Sequence, residues 1–418
     1  MDERSVIATM HRRAGFGLTG SELDAAVARG VKAEIERLVD PATAGFAAPP
    51  DPWDGMDLGY AQGTVRAKGS DMIDRWLSRM ADSTRPAHDR LAWFWHGHLT
   101  SSLAKVKVPS AMADQIRLFW QLGLGRFDVL LRAVTTDPAM LVYLDGTEST
   151  GTAPNENYGR ELMELFALGR TAGYTEADVQ AAARALTGWR VGPKRTDVAA
   201  RFDPKRHDDQ PQTLLGLGGV HDVDTVMKAV TGHPACASYL AGKLARAIVG
   251  PAVDPGFVTL LANRFRSSGL DVADLLRASL EGLAAGQDGG PVVLAPVPWL
   301  VMVERLCGVR LESKVRLAGL QAAGQLPLNP PNVAGWPGGE AWFTSATVVA
   351  RFDIAAAIAS AVAPDHPIVA AAADPARLAQ LLGLPGGFTA GTTAQLNAVR
   401  EPAARLVVAL TSPELVLV

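Results

Sequence analysis

Apolar residues recur along most of the chain at the three- and four-residue spacing of amphipathic helices. Residues 5–40 read as short helices around the loop 12–19, with Ser21 placed to cap the second. A Pro-, Gly- and Asp-rich connection follows over 41–68. Met72, Ile73, Trp76, Leu77 and Met80, then Leu91, Trp93, Phe94 and Trp95, mark two helices within 70–98. Gly97 is expected to let the chain leave the second of these, so that His96 and His98 share one side of extended backbone. Further helices are expected over 109–122 and 127–134, and over a short segment opened by Asp137-Pro138.

The stretch 154–169 holds both helix signals and a dense polar set. Asn155 suits an N-cap, Glu156 faces the positive end of the helix dipole, and Gly169 suits the left-handed residue that ends a helix. Tyr158, Leu162, Leu165 and Phe166 form one apolar face, and Asn157, Glu161 and Glu164 lie beside it with Arg160. Thr175 and Asp178 resemble a capping box. Alternation then replaces the helical period over 189–216, which predicts a β-hairpin. Helices resume over 223–230, 234–248, 258–266, 272–281, 298–306 and 311–322. Residues 327–339 form a rigid Pro/Gly loop, 345–362 a long helix, and the tail shows three weaker helical patterns. The fold class is therefore mainly α: a single multi-helix globular domain over 1–418 with a small β-hairpin insert.

Composition narrows this only a little. A chain of 418 residues can bury a large core, and 48% hydrophobic with 20% charged residues is ordinary for a globular protein. A formal charge of −3 gives no reason to expect nucleic acid as a partner. Cys236 and Cys307 read as buried small apolar residues rather than a disulfide framework. No apolar run approaches the roughly 20 residues of a membrane span, and the first ten residues lack a signal sequence, so a cytoplasmic location is expected.

Candidate chemistry is spread over several segments. His96 and His98 are a candidate pair of ligands for a divalent metal ion such as zinc, manganese or iron, with a carboxylate helix completing the site. As structural residues they would cap a helix end and pack under tryptophans. Glu161 and Glu164, one turn apart, can divide acid and base work or hold a metal; Arg160 can equally neutralise one of them. His207 and Asp208 can form a base with its carboxylate, or simply a turn. Around them Arg184, Arg190, Lys194, Arg195, Arg201, Lys205 and Arg206 outnumber Asp197 and Asp203, which suits an anion or a solvated β face. Arg12 and Arg13 are candidate anion binders or structural ties, while Asn155, Asn157, Arg160 and Trp336 are candidate substrate contacts. The arrangement expected is a cleft across which Glu161 and Glu164 face His96 and His98. No HExxH, phosphate-binding loop, GxSxG or GxGxxG is present, so any active site is assembled from distant segments.

Several motifs occur in a fixed order: Arg12-Arg-Ala-Gly-Phe-Gly17, Phe94-Trp-His-Gly-His98, Asp137-Pro-Ala-Met140, the stretch 154–169, Arg184-Ala-Leu-Thr-Gly-Trp189, His207-Asp208, and Pro330-Pro-Asn-Val-Ala-Gly-Trp-Pro-Gly-Gly339. Over nearly its whole length the chain resembles the bacterial family catalogued as domain of unknown function 1800. The resemblance implies a protein whose relatives are often exported. It also implies a partner protein similar to alkaline phosphatases and sulfatases, since a family of that kind is often encoded beside it. Two departures stand out: Gln212 replaces a usual Lys, and Ser149 replaces a usual Asn. Two functions follow. One is an enzyme performing hydrolysis or group transfer on an anionic or glycan-like substrate, with or without a metal. The other is a non-catalytic helical scaffold for the phosphatase-like partner.

Overall fold

The computed structural model describes residues 1–42, 45–192 and 198–418. Helices begin where the sequence supplies caps. Asp2 accepts the Ser5 amide ahead of Glu3–Arg13, and a reciprocal Thr19/Glu22 capping box opens Gly20–Arg29. Thr19, not Ser21, is the cap there, because Ser21 already lies in the first turn. Helices Pro86–His98, Pro109–Leu122 and Pro234–Ile248 start on proline, whose missing N–H costs nothing in the first turn. The connection 41–68 is pinned by Trp53, which is buried and donates its indole N–H to Met72 O at 3.0 Å.

One continuous apolar core runs from Val6 to Val418 and draws on helices from the whole length of the chain. A tryptophan cluster lies near its middle, with Trp53 against Trp76 and Trp120, and Trp76 against Trp93. A buried ion pair, Arg316 with Glu304, joins helices Ser313–Ala322 and Pro296–Cys307. Arg316 also reaches Asp74 on Val65–Ala81.

The β insert consists of two short antiparallel ribbons rather than one hairpin. Trp189–Val191 pairs with Ala200–Phe202, with Trp189 opposite Phe202. Gln212–Leu214 pairs with Leu217–Val220 through a two-residue turn at Leu215 and Gly216, both with positive φ. The expected end at 216 is thus a turn, and pairing continues to Val220. Lys194, Arg195 and Asp197 lie outside the described residues.

Two further differences matter for the site. Helix Pro86–His98 runs through Gly97 without a break, so His96 and His98 diverge around it. The helix capped by Asn155 is α-helical only over Glu156–Glu161 and then widens into a π-helical segment, Leu162–Ala167. The tail carries five short helices instead of three: Pro367–Ala371, Pro375–Leu381, Ala390–Ala398, Pro402–Leu410 and Pro413–Val416.

Candidate functional site

Arg90, Phe94, Gly97 and His98 fall at i, i+4, i+7 and i+8 of helix Pro86–His98, and this face borders a cleft of about 1120 Å³. Helix Pro234–Ile248 forms a second wall through Lys243, Leu244, Arg246 and Ala247. The Pro/Gly loop forms a third, from Trp336 to Phe343. That loop is held onto the first helix in two ways. The Leu328 amide donates to His96 Nε2 at 3.1 Å, and Trp336 stacks on Trp93 with ring centroids 5.1 Å apart. Gly335 (φ 82°) makes the approach feasible, since a Cβ there would sit 2.2 Å from Gly97 O.

His98 is buried at the end of this face, stacked on Phe94. Its Nε2 lies 2.8 Å from Phe166 O, and a carbonyl only accepts, so Nε2 carries the proton. Nδ1 is left as an acceptor, and Lys243 Nζ donates to it at 2.9 Å. Burial, reinforced by the Lys243 charge, lowers the His98 pKa well below the usual imidazole range, so the ring stays neutral. Burial and the nearby Arg246 charge bring the Lys243 ammonium down to about 8. Tyr239 lies beneath it, with its ring centroid 4.9 Å from Nζ and its hydroxyl donating to Leu165 O at 2.8 Å.

The stretch 154–169 does not line this cleft; its backbone carbonyls hold His98 and Tyr239 from behind. In the π-helical segment the Leu168 and Gly169 amides both turn back to Met163 O, and the carbonyls of Leu165 and Phe166 take side-chain donors. Its carboxylates do not line the cleft. Glu164 pairs with Arg170 at 2.7 Å, and Arg160 pairs with Glu176. Glu161 has no hydrogen-bond partner among the described residues, and burial together with Glu164 raises its pKa. Asn155 caps through the Asn157 amide at 2.9 Å and donates to Leu144 O and Asp145 O. Asn157 itself is exposed.

Other expected site residues are engaged elsewhere. His96 accepts from Leu328 on Nε2, which leaves its buried Nδ1–H without a hydrogen-bond partner among tryptophan rings; burial lowers its pKa to about 3. The two histidines thus turn to different neighbours. Among the described residues no group of three His, Cys, Asp or Glu side chains could hold a metal ion. The expected His96/His98 ligand pair facing Glu161 and Glu164 is not assembled. His207 Nδ1 donates to Thr187 O at 3.0 Å, just past helix Glu176–Ala185, and Asp208 pairs with Arg184 in that helix at 2.7 Å, so the two fasten the β insert to the helix and the residues that follow it. Arg12 donates to Gly383 O at 2.7 Å. Arg13 donates to the carbonyls of Ile248, Val249, Gly290 and Val418, so neither guanidinium is left for an anion. Ser149 Oγ accepts the Asn155 amide, and the Gln212 side chain donates to Gln210 O. Of the expected substrate contacts, Trp336 and Arg13 line the cleft.

Sequence reading missed Lys243 and Arg90. Arg90 was legible as the start of the Phe94/Gly97/His98 face. Lys243 was legible as a cation one turn beyond Tyr239 on a helix that buries Leu240, Ala241 and Leu244. Only the packing shows that both border one cleft.

Fold and site together define a helical protein with a cationic, aromatic-walled cleft built from dispersed segments. The chain belongs to the family described as protein of unknown function (DUF1800), which matches residues 9–417. No curated protein and no solved structure is significantly similar to it. Among the described residues no helix is long and apolar enough to cross a membrane.

Proposed function

We propose that the cleft is an active site for hydrolysis or group transfer on an anionic or glycan-like substrate, with Lys243 as the proton-transferring residue and His98 positioning it. The observation that carries this reading is the Lys243 Nζ to His98 Nδ1 contact of 2.9 Å at an open cleft. An amine near pH 8 can take up or give a proton at working pH. His98 is locked in one tautomer by Phe166 O, accepts one N–H from Lys243, and so turns the rest of the amine toward the cleft. Trp93 and Trp336 offer flat apolar surface of the kind that holds a sugar or an aromatic ring.

The titration of Lys243 tests this directly. Competitive acetylation across a pH series, read by mass spectrometry at Lys243, should give a midpoint near 8. A midpoint at the ordinary lysine value of about 10.4 removes the basis of the proposal. Any substrate turnover found by screening should be lost in Lys243→Gln.

The scaffold reading draws support from one surface. Phe343, Val349 and Phe352 are exposed, and Phe343 also lines the cleft. If this face docks a phosphatase- or sulfatase-like protein, Val349→Asp with Phe352→Asp abolishes co-elution of the two purified proteins. Unchanged co-elution removes that assignment.

A further inference from the structure

We infer that Arg90 seats the acidic head group, a carboxylate or a phosphate, of the ligand that fills the cleft. The inference names the substrate class of the proposed site. It rests on the cleft being a ligand site, but not on Lys243 moving a proton.

The unusual feature is what Arg90 lacks. A guanidinium has five N–H donors and no acceptor, and one withdrawn from water is costly without partners. The four buried arginines among the described residues each have at least one partner, although Arg351 leaves its Nε unpaired. Arg12 and Arg13 donate to main-chain carbonyls, Arg351 donates to Leu294 O, and Arg316 is paired with Glu304 and Asp74. Arg90 is half-buried; it makes no hydrogen bond or ion pair among the described residues, and Nη1, alone among its donors, is shielded from solvent with no partner. The Phe16 ring centroid lies 6.0 Å from the guanidinium carbon and offers only a weak cation–π contact. Burial alone brings its pKa down to about 10, with no carboxylate opposing the shift.

Its place in the fold turns this vacancy of partners into a binding argument. Arg90 lines the same cleft as Lys243 and Arg246, and among the described residues the only carboxylate side chain lining that cleft belongs to Glu340, on the exposed loop. Arg246 also has no hydrogen-bond or ion-pair partner among the described residues. The cleft therefore carries uncompensated positive charge, which a fork of guanidinium donors matches to a planar carboxylate or a phosphate. Along the helix Arg90 stands eight residues before His98, about 12 Å of axial rise. Phe94 lies between them on the same face. The ligand that fits is an organic acid: its acidic head on Arg90, an apolar or aromatic middle along Phe94, and its reacting group toward Lys243.

Three soluble probes test this: 4-phenylbutyrate, 4-phenylbutyl phosphate and 4-phenylbutanol, each titrated into the full chain by calorimetry. The two acids should bind at least about tenfold more tightly than the alcohol, the difference expected of a charge-assisted hydrogen-bonded pair. Whichever acid binds tighter identifies the head group. Arg90→Met should erase that preference, whereas Lys243→Met should leave it in place. Equal binding of acid and alcohol overturns the inference. So does a preference that survives Arg90→Met but disappears in Arg246→Met or Lys243→Met. In the unmodified chain, phenylglyoxal labelling of Arg90 should be slowed by the acid and not by the alcohol, a readout that does not depend on any variant folding. Labelling at the same rate with both overturns the inference. An ordinary Lys243 midpoint with intact Arg90-dependent acid binding sinks the proton-transfer proposal alone.

Discussion

His98 and His96 show how little a residue type decides before its neighbours are known. Both are buried imidazoles on one helix, yet Phe166 O fixes a proton on Nε2 of His98, while the Leu328 amide fixes one on Nδ1 of His96. The first leaves an acceptor aimed at Lys243, and the second makes a structural clasp. Replacing His96 by Phe keeps the aromatic volume but orphans the Leu328 amide, so stability to denaturant should fall by about 1–3 kcal/mol. Glu161→Gln tests the opposite case. Glu161 has no hydrogen-bond partner among the described residues, so its thermal midpoint should correspond to a change within about 0.5 kcal/mol. Asp137 supplies a pH test. It is buried, caps Pro138–Tyr143 and accepts from Gln115; burial pushes its pKa up to about 7. The folded state therefore keeps a proton that the unfolded chain loses near pH 4. The stability this gives is complete below that pH and is lost as pH rises through 7. Asp137→Asn keeps the acceptor oxygen and removes the titration. Wild type minus variant should change by up to about 4 kcal/mol between pH 4 and 8 in urea titrations, and a pH-independent difference contradicts the assignment.

At the scale of elements, caps and apolar periods were legible in the sequence because they are local. Asn155, Gly169, the Thr175/Asp178 box and helices such as Pro109–Leu122 follow from neighbours within four residues. The π-helical segment was not legible, because the extra residue in its turn is held by distant donors, Tyr239 and His98. Nor was the purpose of Gly97, which read as a helix breaker. It stays helical, and the Pro/Gly loop needs its carbonyl approachable through Gly335. Gly335→Ala should therefore be severe: a positive-φ position and a Cβ 2.2 Å from Gly97 O together should cost about 2–4 kcal/mol. The Trp93–Trp336 stack reports the same event, so the fluorescence of the folded variant should change as well.

Across the whole molecule, the candidate site depends on contacts hundreds of residues apart, and no sequence pattern records those. The Arg12-Arg13 pair read equally well as anion binders or as ties; the packing makes them ties that bring segments near both ends of the sequence onto the core. Arg13 has the further effect of holding the carbonyls of Ile248 and Val249, at the end of the helix that carries Lys243 and Arg246. A cation there also complements the negative end of the helix dipole. Arg13→Met removes donors from four carbonyls at once, so stability should fall by roughly 2–5 kcal/mol. The loss should extend to the site. With that helix end less firmly held, water reaches Lys243 more easily, and its labelling midpoint should rise from about 8 toward that of an exposed lysine. Arg246→Met separates the two effects. Arg246 is exposed and ties nothing down, so stability should stay within about 0.5 kcal/mol. Because its charge is one cause of the low Lys243 value, the midpoint should still rise. If Arg13→Met lowers stability but leaves the Lys243 midpoint where it was, the pair ties the fold without tuning the cleft.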